Sequence, residues 1–228
     1  MKFDIFFSIC QTPVDGHTPN ERTMFKNFVE QFLLADELGF GIGWIAETHL
    51  SCQIQKQNPG AVIPHFQGEI GLNTDILQMG HWLYARTKKI EIGSAIRNIL
   101  CNGGPISHAE SIRTFLTIHS MDVKDQRGLN IGFASGRFPF SNSPYGIYPR
   151  NDLEKALWPI LKGRIFQEAT EIFCRLLKGE VIGSRDIMHR GYVKPKDFRD
   201  PKDWERVEKS AGKKLDQVVI PSFYNFDP

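Results

Sequence analysis

A chain of 228 residues, 41% hydrophobic and 24% charged, has the length and the apolar content to bury a sizeable core. Its 28 basic and 26 acidic residues leave a formal net charge of +2, which gives neither nucleic acid nor an anionic membrane a reason to bind. The four cysteines, Cys10, Cys52, Cys101 and Cys174, form no CxxC pair, so neither a zinc ribbon nor a thioredoxin-like site is indicated, and reduced thiols in a cytoplasmic protein are the simplest reading.

The opening MKFDIFFSIC is apolar but short and holds Asp4, so it reads as a strand over Lys2–Ile9, buried on both faces, and not as a signal peptide. Glu21–Leu38 places Met24, Phe25, Phe28, Phe32, Ala35 and Leu38 at helical spacing, with Gly39 as its stop. Phe40–Ala46 is a second buried strand, and Cys52–Gly71 is loop. Leu72–Thr87 reads as a helix, Lys89–Arg97 as a third strand, Pro105–Val123 as a long helix and Leu129–Ala134 as a fourth strand. Leu153–Leu177 is helical, with Pro159 and Gly163 expected to break or kink its first part. Arg190–Val193 is a short strand and Val218–Phe223 a fifth buried run. No run approaches the roughly 20 apolar residues that cross a bilayer.

Alternating strands and helices define an α/β protein with a parallel sheet. A dinucleotide-binding sheet should follow its first strand with GxGxxG, and Ser8-Ile9-Cys10-Gln11-Thr12-Pro13 is no such loop. A (β/α)8 barrel instead gathers polar groups at the C-terminal ends of its strands. Glu47, Thr48 and His49 follow strand two, Asn98 follows strand three, and Ser135 and Arg137 follow strand four. That distribution favours the barrel.

Several chemistries stay open at these strand ends. Glu47 and His49 share one side of an extended chain, and a carboxylate beside an imidazole can set its tautomer for acid–base work. The same two residue types also ligate metals, and a histidine can simply cap the next loop. In IGSAIRN, the small Gly93, Ser94 and Ala95 admit either a flat ligand or close packing. In GFASGRF, the hydroxyl of Ser135, the flexible Gly136 and the guanidinium of Arg137 suit an anion or a tight turn. Phe138, Phe140 and Tyr145 line an apolar pocket or pin their loop. His81, His108 and His119 lie in helices and read as structural. Phe25, Phe28, Phe32 and Trp44 read as core.

MKFDIFFS, WIAETH, IGSAI, PISHAES and IGFASGRF, in that order and spacing, resemble the luciferase-like flavin-dependent monooxygenases along nearly the whole chain. The resemblance implies a (β/α)8 barrel. It also implies reduced FMN supplied by a separate flavin reductase, O2, and oxygenation of a small organic substrate. A related branch uses F420 for hydride transfer. By motif, Glu47 matches the family's acid after strand two, His49 its second histidine, and Thr48 the place of a catalytic histidine in bacterial luciferase. Ser94, Ala95 and Ile96 match residues that pack on the flavin ring, where the family often has a non-proline cis peptide, and Asn98 is taken to meet the ring's pyrimidine edge. Ala134, Ser135, Gly136 and Arg137 match the phosphate end, Arg137 standing in for an arginine replaced by Ser135. Ala109-Glu110 matches the family's Ala-Glu, and the longer stretch to Gly132 implies an inserted turn around Asp122–Arg127. The resemblance further implies a homodimer.

A complete barrel takes about 250 residues. With a fifth strand at QVVIPSFYNFDP, residues 1–228 are expected to form a single barrel domain of about five βα units, incomplete at its C-terminal side. A non-catalytic flavin-binding protein and a metal-dependent hydrolase using Glu47 and His49 are the competing readings. The geometric expectation is that Glu47, Ala95 and Ser135 meet at one rim.

Overall fold

The computed structural model describes residues 1–9, 15–17, 19–47, 75–136, 139–189 and 191–226. Two compact units emerge, one of Met1–Asn98 with Ser111–Ser141, the other of Ile99–Glu110 with Asn142–Pro228. The expected loop Cys52–Gly71 lies outside the described residues.

In the first unit, β1 (Ile5–Phe7), β2 (Ile42–Ile45), β3 (Glu91–Asn98) and β4 (Leu129–Ala134) form a four-stranded sheet in that order. Every pairing is parallel, as the α/β reading required. Between β1 and β2 runs α1 (Glu21–Leu38). Its start is capped by Asn20, whose side chain accepts from the Thr23 N–H at 2.9 Å, and it stops at Gly39, in the left-handed region at φ 82°. Phe28 and Phe32 on its buried face reach Phe7, with ring centroids 5.5 and 5.2 Å away. Gly43 of β2 is what lets Phe32 sit so close, because a Cβ there would meet the ring at 2.4 Å. Phe25 is half-buried and Leu38 exposed, so the apolar stripe is narrower than the sequence spacing indicated.

The opposite face of the sheet carries the row Phe6, Trp44, Gly93 and Asn130. Here the expectation that β1 is buried on both faces is corrected: Phe6 is 59% exposed. As an edge strand, β1 has only Trp44 beside Phe6 on this face. Trp44 is half-buried rather than core, and its indole N–H donates to Asp4 at 3.3 Å. On the same face the Asn130 amide donates to Glu91 at 2.8 Å.

The helix α2 (Ile76–Tyr84) starts at Asp75, whose carboxylate caps Leu77 N–H at 3.0 Å. The chain then enters β3 through a clamp on α1: Asp36 accepts from the backbone N–H groups of Lys88, Lys89 and Ile90 at 2.9, 2.7 and 2.8 Å. Burial opposes ionisation of Asp36, but these donors win, and its pKa lies below the ordinary value. The segment 120–128 is tied back by Arg127, which donates to Thr87 Oγ1 at 2.6 Å, to the Tyr84 carbonyl at 2.8 Å and to Asp125. A turn thus lies where one was expected around Asp122–Arg127, held by these polar contacts.

The helix α3 (Gly104–His119) is four residues shorter at its end than the sequence spacing indicated; Met121 and Val123 lie beyond it, exposed. After a short α4 (Pro139–Asn142), α5 runs unbroken from Asp152 to Leu177 with Pro159 inside it. Pro159 cannot donate to the Lys155 carbonyl, but both residues lie on the exposed face, where water can take that acceptor's place. The expected break is therefore absent.

In the second unit, α6 (Pro201–Ala211) was not anticipated, although its signals are plain: Asp200 caps it, Pro201 opens it and Gly212 ends it. Its Trp204 and Val207 join Leu157, Val193, Phe198 and Ile220 in one buried cluster. The fifth run is also corrected. Val218–Val219 does not join the parallel sheet; as β6 it pairs antiparallel with β5 (Tyr192–Val193), and Val219 is 74% exposed. A short apolar run cannot by itself reveal which partner pairs with it.

Replacing Asp36 with Ala should lower unfolding free energy by about 3 kcal/mol or more, because three backbone donors lose a charged acceptor at once. Since the folded pKa is depressed, this contribution should be present at neutral pH and fade as pH falls through that depressed value. Urea unfolding of the wild type and D36A at pH 7 and below pH 4 (about the ordinary carboxyl range) measures both; a loss under about 1 kcal/mol at pH 7 contradicts the clamp.

Candidate active site

Parallel pairing puts the C-terminal ends of β2, β3 and β4 on one edge of the sheet. Ile45 stands beside Ser94, Ser94 beside Ile131, and Asn98 beside Ala134. Glu47 follows β2 by two residues, and Ser135 follows β4 directly. Glu47, Ala95 and Ser135 therefore share one rim, as expected.

The register along this rim is not uniform. From Ser94–Ile131 to Arg97–Phe133, β3 advances three residues while β4 advances two. Such a bulge re-aims side chains. Alternation from Ile90, Ile92 and Ser94, all fully buried, would bury Ile96 and turn Arg97 away. The reverse is observed: Ile96 is 55% exposed and Arg97 only 8%. The Ala95–Ile96 peptide bond within this bulge is cis, as the sequence resemblance implied.

Turned inward, Arg97 Nη1 donates to Glu47 Oε2 at 3.0 Å, and the Glu47 side chain is 2% exposed. The second carboxyl oxygen, Oε1, is buried and has no hydrogen-bond partner among the described residues. Burial pushes the Glu47 carboxyl above its ordinary pKa, and the charge of Arg97 and the hydroxyl of Ser94 only partly offset it. A half-satisfied buried carboxylate is costly unless something completes it.

Around this pair the structure sorts the remaining sequence-derived residues. Ser94 is fully buried and donates to the Gly132 carbonyl at 3.3 Å, bracing β3 on β4. Asn98 is buried, while Ala95, Ala134, Ser135 and Gly136 are half-buried. Gly93 is no landing place for a ligand: the Trp44 ring occupies the space, 2.4 Å from where a Cβ would stand. Thr48, His49, Arg137 and Phe138 lie outside the described residues. Phe140 is half-buried and Tyr145 40% exposed. The helical histidines are structural, as read: His108 Nε2 donates to the Cys101 carbonyl at 2.9 Å, His119 Nε2 to that of Arg127 at 3.0 Å, and His81 packs on Phe115.

Arg97 was missed. Its only sequence signal is a charge at the end of an otherwise apolar strand, and alternation assigns it the wrong face. The second unit holds a separate cleft of about 640 Å³, lined by Trp158, Arg164, Glu168, His189 and Ile220 among others; it contains none of the residues the sequence singled out. Among the described residues no cluster of three or more His, Cys, Asp or Glu is arranged to hold a metal ion, and no helix is long and apolar enough to cross a membrane.

The sequence pattern of the luciferase-like monooxygenases matches residues 1–121, more than half of the chain, and the chain belongs to that family. Among solved structures it is similar to the oxygenating constituent of 3,6-diketocamphane monooxygenase from the CAM plasmid of Pseudomonas putida, a type II Baeyer–Villiger monooxygenase in complex with FMN. That match has 14% identity and a TM-score of 0.55, and covers 80% of this chain and 41% of the other. Monooxygenase RslO1 from Streptomyces bottropensis matches with 19% identity and a TM-score of 0.53, over 80% of this chain and 45% of that one. These likenesses are of fold, and the chain spans less than half the length of either structure. No curated protein matches the chain.

Two outcomes follow from the rim. Gly132→Ala would set a Cβ 2.8 Å from the Ser94 carbonyl oxygen, so thermal unfolding should show a loss of about 1–3 kcal/mol; an unchanged midpoint contradicts the close approach of β3 and β4. Because the folded pKa of Glu47 is raised, its contribution is fully present below the ordinary carboxyl pKa and lost as pH rises through the folded value. Wild type should therefore gain stability relative to Glu47→Gln as pH falls from 7 toward 4.5, and a pH-independent difference contradicts the burial.

Proposed function

We propose that this chain belongs to a (β/α)8-type flavin-dependent monooxygenase that uses reduced FMN and O2 to oxygenate a small organic substrate. The observation that carries this reading is the rim itself. An exposed Ile96 and half-buried Ala95 offer apolar surface directly beside a buried carboxylate with one oxygen unpartnered among the described residues. A flat ring with an apolar face and polar edges suits that combination, so the residues present fit the cofactor the family implies.

Reduced FMN, when bound, supplies the electrons that activate O2. The chain's own part is to hold and shield it. Ala95 and Ile96 support the ring, and Glu47 accepts a hydrogen bond from its edge or from the substrate. Asn98 faces the pyrimidine side. Ala134, Ser135 and Gly136, with Arg137, face the phosphate, where Gly136 at φ 72° turns the chain after β4. Thr48 and His49 continue the chain from Glu47, and His49 moves protons at the substrate. Phe140 helps exclude water. A separate flavin reductase, a homodimer and a cytoplasmic location complete the proposal.

Titrating the chain with oxidised FMN by visible spectroscopy, and with reduced FMN anaerobically, tests it. Saturable binding, with O2 consumption above that of an added reductase alone, is the expected result. Binding of neither form overturns it. Binding of F420 in place of FMN assigns hydride transfer instead, and FMN binding without extra O2 consumption assigns a non-catalytic flavin-binding role.

A further inference from the structure

Two adjacent residues at the rim sit on the unfavourable side of the sheet's alternation. Ile96 gives up burial and Arg97 gives up water. An isoleucine left out of the core forfeits its hydrophobic stabilisation. Burying an ion pair is seldom repaid by the pair alone. The register shift between Ser94 and Arg97 produces both at once. Local rules broken together in this way mark a functional position.

The geometry narrows what that function is. Arg97 holds Oε2 of Glu47 at 3.0 Å, and Oε1 has no hydrogen-bond partner among the described residues. A lone carboxylate in this setting would be pushed toward its protonated form, and could then donate as well as accept. The guanidinium on Oε2 opposes that push in part and fixes the carboxyl's orientation, and it is itself only 10% exposed in its side chain.

We propose that Arg97 is the positioning residue of this site, acting through Glu47: it keeps Oε1 as a fixed acceptor for one N–H or O–H donor of the ring system bound over Ile96. This rests on the flavin reading above and adds to it a residue and a direction of hydrogen bonding. Arg97 itself does not touch the bound ring.

The test uses the 228-residue chain as wild type, Arg97→Lys, Arg97→Met, Glu47→Gln and the double variant R97M/E47Q. Two readouts are taken: the Glu47 carboxyl titration, by NMR with 13C-labelled glutamate, and the dissociation constant for reduced FMN measured anaerobically. In R97M the Glu47 carboxyl should titrate higher than in wild type, and FMN binding should weaken roughly tenfold or more, one buried charged hydrogen bond being worth at least that. R97K, which keeps the charge and folds where R97M fails to, should fall between the two. In the E47Q background R97M should cost no further affinity. An unmoved titration in R97M overturns the pairing. A loss of affinity from R97M that persists in E47Q overturns action through Glu47, because Arg97 then meets the ligand itself. If wild type binds no flavin, the flavin reading fails and the acceptor assignment fails with it; the titration then decides the Arg97–Glu47 pairing alone.

Discussion

The site depends on one constraint, the change of register in β3 between Ser94 and Arg97. Parallel pairing alone would bring polar strand ends to a common edge, as it does in any sheet of this kind. The extra residue on β3 does something more specific. It exchanges the faces of Ile96 and Arg97, and so converts an apolar edge into an apolar shelf above a buried ion pair. The neighbouring contacts maintain that arrangement. Ser94 bonds across to Gly132, Gly132 has no Cβ to keep the strands apart, and Asp36 fixes where β3 begins.

The rim differs from the contacts that brace the sheet around it. The Asp36 clamp, the Arg127 network and the Nε2 hydrogen bonds of His108 and His119 each stabilise the fold as built. Glu47 is different: burial disfavours its charge, Arg97 offsets only part of that, and one oxygen has no partner among the described residues. A structural ion pair would be expected to use both oxygens, since an unmade buried hydrogen bond costs about 1–3 kcal/mol. A group left short in this way is poised to gain from a ligand.

Much of this was legible in the residues. Short apolar runs alternating with 3.6-period helices announced the parallel sheet, and the cluster of Glu47, Asn98 and Ser135 after strands announced the rim. Gly39 marked the end of the first helix through its freedom to turn left-handed. What was not legible depended on pairing. Alternation cannot foresee a bulge, so nothing in the residue pattern shows Arg97 turning inward. An apolar run does not name its partner, so Val218–Val219 was expected in the parallel sheet and lies in a small antiparallel pair. Pro159 was read as a break because its exposure, which lets water serve the Lys155 carbonyl, is a tertiary fact. Gly93 was legible as a close approach, but the visitor is Trp44.

The central claim is spatial, so the most direct measurement is a crystal structure of the chain with FMN. The account predicts the ring lying against Ile96 at the C-terminal ends of β2–β4, with a donor within hydrogen-bond distance of Glu47 Oε1 and Arg97 still paired to Oε2. Flavin bound elsewhere, such as in the cleft beside Trp158 and His189, or a Glu47 Oε1 already satisfied by the protein, would contradict it.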